Sequence, residues 1–138
     1  MQPAQAPGWS RFVLVLGGIA SLVFGVLLAL NPVGWLARVG VTIGADAISR
    51  IEVGAFYGGI EIGLGLLLLA ASTHRHTVRV GLWLLFASQA GTGLTRLLLM
   101  LASGTWPPMF LGFLVYELGF AALALGGLLA RPRLRHRL

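Results

Sequence analysis

Four apolar runs, Phe12–Leu30, Ile51–Ala71, Val80–Leu101 and Met109–Ala130, constrain this chain more than any other feature. Each is long enough to cross a bilayer, which takes about 20 apolar residues. In hydrocarbon every backbone N–H and C=O must be satisfied within its own segment, so the runs are expected to be helices. The fold class that follows is all-α: a four-transmembrane-helix bundle, with residues 1–138 forming a single transmembrane domain.

Composition narrows the function classes. The chain is 57% hydrophobic, and its longest stretch between runs is Asn31–Arg50, so no soluble catalytic domain is expected. The net charge of +6 does not point to nucleic acid: all ten basic residues are Arg, and four of them fall in the last eight residues. Cys is absent, which excludes disulfides, thiolate nucleophiles and Cys-ligated metals. The three histidines, His74, His76 and His136, all lie outside the runs, so no metal site and no cofactor is expected.

The first run reads as a retained span. At 19 residues it exceeds a signal-peptide core of about 7–15, and its end, Leu28-Ala29-Leu30-Asn31-Pro32, lacks the small residues that cleavage requires. Gly17, Ser21 and Gly25 are spaced four apart along it and form a small-residue stripe that lets another helix approach closely. Gly54/Gly58 and Gly59/Gly63 offer the same on span 2. Asn31-Pro32 ends span 1. Leu36, Val39 and Ile43 then share one helical face, which predicts a short amphipathic helix on the membrane surface. Ser49 and Glu52 have the capping-box spacing and predict the start of span 2. Thr73–Arg79 reads as a short basic turn, and Ser103–Pro108 as the turn between spans 3 and 4.

Orientation follows from counting Arg. With a cytoplasmic N-terminus the inner side holds Arg11, Arg75, Arg79, Arg131, Arg133, Arg135 and Arg137, and the outer side only Arg38 and Arg50. That asymmetry places both termini in the cytoplasm of a multi-pass protein of the cell inner membrane. Arg131, Arg133, Arg135 and Arg137 would face anionic lipid at about 1 kcal/mol each. A short four-span chain is also expected to act as a homo-oligomer or within a larger membrane complex.

Three ionisable residues, Glu61, Arg96 and Glu117, interrupt the apolar runs, and each is costly in lipid. Counted from the inner ends of their spans, they rise roughly 20, 25 and 21 Å, which puts all three in the outer half of the bilayer. Helical periodicity aligns further polar groups with them. Arg50, Gly54, Tyr57 and Glu61 follow a single stripe on span 2, and Gln89, Thr92 and Arg96 one on span 3. On span 4, Phe113, Glu117 and Phe120 line up beside Tyr116. The candidate cluster is therefore Arg50, Tyr57, Glu61, Gln89, Arg96, Tyr116 and Glu117.

The leading reading of the cluster is a structural ion pair that fixes helix register in a non-enzymatic protein of structural or accessory role. The alternative is a proton- or ligand-coupled carrier using Glu61 and Glu117. No catalytic residue is assigned, because no nucleophile, metal-ligand set or phosphate loop accompanies the charges. An internal repeat is also suggested. Glu61-Ile-Gly63 and Glu117-Leu-Gly119 each lead an apolar run, as in two helical hairpins related by an axis along the membrane normal.

The residues from Ser49 to Leu69, then Gly93-Leu-Thr-Arg96, Gly104, Pro107 and Glu117, resemble the small four-helix bacterial membrane proteins grouped as a domain of unknown function. That resemblance spans roughly Val39–Leu129 and singles out Arg50, Arg96 and Glu117. It implies a four-span architecture and no particular reaction.

Overall fold

A computed structural model describes residues 8–44 and 46–130; the tail Arg131–Leu138, with its arginines, lies outside the described residues. The architecture is an all-α bundle with no strand among those residues. In chain order the helices are α1 (Gly8–Leu30), α2 (Pro32–Arg38), α3 (Ala47–Val53), α4 (Gly59–Thr73), α5 (Arg75–Ser103) and α6 (Pro108–Leu129). A five-residue π-helical segment, Gly54–Gly58, joins α3 directly to α4. Counting Ala47–Thr73 as one continuous span, four helices are long and apolar enough to cross a membrane. Large apolar side chains cover their outsides; Leu30, Val115 and Leu129 are each more than 70% exposed. In water such a surface would drive association, whereas hydrocarbon solvates it.

The described residues divide into two compact units: Gly17–Leu67, and a second built from residues 8–16 with 68–130. In Gly17–Leu67 the contact between α1 and α4 is made by backbone. A Cβ placed on Gly25 would fall 2.7 Å from the Ile62 nitrogen and 2.8 Å from the Gly58 oxygen. One placed on Gly65 would meet the Gly18 oxygen and the Leu22 nitrogen at 2.7 Å. Gly17, Ser21 and Gly25 are all buried, so the predicted stripe on span 1 is the packing face. Of the four glycines singled out on span 2, Gly58 makes such a close contact, with the Ala29 nitrogen at 2.9 Å; Gly54 packs at ordinary distance, and Gly59 and Gly63 face open space.

In the second unit Val13 and Leu14 of α1, Leu68 of α4, Val78, Leu82 and Leu85 of α5, and Ala121, Ala124 and Leu128 of α6 form the core. Gly81 lets Leu14 and Ala71 close on α5, and Gly127 lets Leu82 and Ser10 close on α6.

Local chemistry explains the element ends, and three times it departs from the sequence reading. The span 2 helix starts at Ala47. Asp46 is its N-cap, accepting from the Ser49 backbone N–H at 2.9 Å and from the Ser49 hydroxyl at 2.6 Å. Ser49 is thus a donor inside the first turn, and the Ser49/Glu52 capping box does not form. An ionised carboxylate outcompetes a hydroxyl as acceptor for the free N–H groups. The basic turn contracts to one non-helical residue, His74. The hydroxyls of Ser72, Thr73 and Thr77 satisfy the carbonyls of Leu69, Ala70 and Ala71, so α4 can stop and α5 begin without a longer loop.

Two other boundaries follow from turn and cap residues. Asn31 caps α2 through the Gly34 N–H, Pro32 opens it, and Gly40 at φ 80° follows it. The predicted amphipathic helix is therefore cut short: Leu36 lies in it, Val39 is its C-cap and Ile43 lies beyond it, so the three do not share a helical face. Gly104, at φ 65°, ends α5 in the left-handed region, and Pro107-Pro108 starts α6.

Candidate functional site

Arg96 on α5 and Glu117 on α6 form a two-pronged ion pair. Arg96 Nε donates to Glu117 Oε2 at 2.9 Å, and Nη2 donates to Oε1 at 2.6 Å. The parallel geometry matches the fork of the guanidinium to the carboxylate, the strongest form such a pair takes. Gly93, one turn before Arg96, makes room for it: a Cβ there would lie 3.2 Å from the Glu117 Cβ. Phe110 and Phe113 precede Glu117 by seven and four residues on α6. Their ring centroids stand 5.3 and 5.2 Å from the Arg96 guanidinium carbon. The cation therefore has a carboxylate at its edge and two aromatic rings nearby, which lowers the cost of holding it among apolar groups.

Burial within the pair is unequal. The Glu117 side chain is 9% exposed and the Arg96 side chain 27%. The exposed part of Arg96 lines an open groove of about 530 Å³ between α5 and the start of α6. Leu99, Met100 and Phe110 supply apolar wall, and Ser103 and Thr105 line the end near the hairpin turn.

The other residues of the candidate cluster are distributed as follows. Gln89, two turns before Arg96, is 5% exposed, and its side-chain oxygen has no partner among the described residues. Tyr116 packs on Phe120 with ring centroids 4.9 Å apart. Arg50, Tyr57 and Glu61 belong to Gly17–Leu67. Arg50 lines a smaller groove of about 300 Å³ with Asn31 and Gly54. Tyr57 is exposed and meets Phe56 edge to face. The Cβ of Glu61 lies at the Gly25 contact, 2.9 Å from where a Cβ on that glycine would be.

The π-segment lies between Arg50 and Glu61, so the stripe counted at 3.6 residues per turn along span 2 is interrupted there by a wider turn. Gly54 packs on Ala29 of α1, and the Glu61 Cβ lies at Gly25 of the same helix. Phe110 was missed by the sequence reading, although its spacing from Phe113 and Glu117 marks one face of α6. Among the described residues no three His, Asp or Glu side chains gather where a metal ion could be held.

Helices with no strand among the described residues, four of them able to cross a membrane, with exposed apolar side chains and an internal charge pair, have the makeup of a multi-pass membrane protein. Residues 9–128 match the family described as a domain of unknown function, DUF4345, and the chain belongs to that family. No curated protein and no solved structure matches it.

Proposed function

We propose that this is a small non-enzymatic protein of a cell inner membrane, with a structural or accessory role, in which the Arg96–Glu117 pair locks the register of α5 against α6 in the outer half of the bilayer. The observation that carries the reading is the two-pronged closure of Glu117 by Arg96. A carboxylate held at both oxygens, and almost fully covered, is poorly placed to load and release a proton or a cation. That weighs against a carrier working through Glu61 and Glu117. The Arg asymmetry supports cytoplasmic termini. It also supports anionic lipid at Arg131, Arg133, Arg135 and Arg137 as the inner-face partner. Association as a homo-oligomer or in a larger complex belongs to the same reading.

The test pairs two measurements. Reporter fusions after Leu138 and within residues 40–47 should lie on opposite sides of the membrane. The double variant Arg96→Leu/Glu117→Leu should remain folded and keep its membrane partners, because two apolar residues suit lipid. A double variant that folds normally but loses a transport or ligand-dependent phenotype supports the carrier instead.

A further inference from the structure

Glu117 uses only two of the three nitrogens of Arg96. Nη1 donates to no described residue, and Arg96 lines the groove. Beside it, the exposed hydroxyl of Thr95 makes no hydrogen bond to the described residues, whereas that of Thr92 is turned back onto the Ser88 carbonyl at 3.0 Å. Two successive residues, each with a donor unused by the described residues, thus line a groove that is otherwise largely apolar. Arg96 lies seven residues before the end of α5, roughly 10 Å into a hydrocarbon core about 30 Å thick. A charged N–H at that depth needs an acceptor oxygen. At about 530 Å³ the groove is within the size range of small-molecule sites, about 300–1,000 Å³.

The charge balance selects the head group. Arg96 and Glu117 sum to zero, so a phosphate or carboxylate at Nη1 would leave a net negative charge in a low-dielectric site. A neutral acceptor adds none. We infer that the groove binds a neutral amphiphile through a carbonyl oxygen that accepts from Arg96 Nη1 and the Thr95 hydroxyl, with its apolar chain against Leu99, Met100 and Phe110. The inference goes beyond the register lock but rests on it, since Glu117 engages Nε and Nη2 and leaves Nη1 to another acceptor. The carbonyl can come from a free single-chain ester or from the acyl ester of a bilayer phospholipid.

Photolabelling of the full chain in nanodiscs of saturated phosphatidylcholine tests this. Three probes carry the same diazirine chain: a fatty-acid ethyl ester, an alkane of equal length and a phosphatidylcholine. The ester should label the 91–110 segment at least about fivefold more than the alkane, the gain expected from hydrogen bonds to a charged donor. Thr95→Val should lower labelling by the ester and leave that by the alkane unchanged. Leu99→Trp should fill the groove and abolish both. If Leu99→Trp fails to fold, Thr95→Val, which hardly changes volume, carries the comparison. Labelling by the phosphatidylcholine probe identifies bilayer lipid as the source; labelling by the ethyl ester alone identifies a free amphiphile. Equal labelling by ester and alkane, or ester labelling that survives both substitutions, overturns the assignment. Neither substitution touches the Arg96–Glu117 pair, so a failed register lock is read separately, from the stability of the double variant.

Discussion

In Gly17–Leu67, α1 meets α4 across bare backbone; in the hairpin of α5 and α6 the contact runs through side chains. Both seams place a glutamate on a glycine of the preceding span, Glu61 on Gly25 and Glu117 on Gly93. Three residues beyond Gly93 stands Arg96; three beyond Gly25 stands Leu28. The difference shows two ways of joining helices where no hydrophobic effect is available. The first relies on close van der Waals approach between small residues, and the second on an ion pair that lipid makes expensive to break.

The largest expected effect comes from the polar seam. Arg96→Leu should strand Glu117 and destabilise by about 3–5 kcal/mol, measured by reversible unfolding in mixed micelles or by steric trapping in bicelles. Adding Glu117→Leu should recover much of that loss. A double variant as unstable as the single would mean that packing alone, as in the other unit, holds α5 to α6.

The backbone seam comes next. Gly25→Ala drives a methyl group into the Ile62 nitrogen and the Gly58 oxygen, neither of which can rotate away, and should cost about 1–3 kcal/mol in the same assay. Gly93→Ala meets the Leu118 Cδ2 first, at 2.8 Å, at the end of a flexible side chain. A rotamer change should hold that cost to about 1 kcal/mol or less. Equal costs at Gly25 and Gly93 would erase the distinction between the two seams.

The smallest effect is a pH dependence at the start of α3. The Ser49 hydroxyl, and then the Ser49 backbone N–H, hold the Asp46 carboxyl below its ordinary value. A carboxyl whose folded pKa is depressed contributes its stabilisation above the unfolded pKa and loses it as pH falls through the folded one. The Ser49 amide should therefore stay protected from hydrogen exchange at neutral pH. It should lose protection, relative to the intrinsic rate, only below the ordinary Asp range. Asp46→Ala should remove the protection at every pH. Unchanged protection in that variant would show that Asp46 is not the cap.

What was legible in the sequence follows from how local each cause is. The four spans could be read because hydrocarbon imposes one rule on every residue of a run. Arg96 and Glu117 stood out because charge is rare there, and their depths could be counted from the span ends. The cap at Asp46 was misread because Ser49/Glu52 fits an equally regular pattern, and choosing between acceptors depends on their relative strength. The groove was not legible at all. It depends on which hydroxyls turn back onto their own helix, as Thr92 does, and which do not, as with Thr95. The π-segment left no periodic signature, because five residues are too few to shift a hydrophobic pattern averaged over a whole span.

That five-residue segment makes the second span behave like two rotors on one shaft. The part beyond the wide turn is seated on α1 by Gly58 and Gly65, and the part carrying Arg50 precedes it. Losing one residue between Gly54 and Gly58 would turn Arg50 through about a quarter of a revolution while leaving Gly65 in its seat. A protein built this way can re-aim its membrane-surface residues by single-residue insertion or deletion, a change that an uninterrupted span would pass on to its packing face.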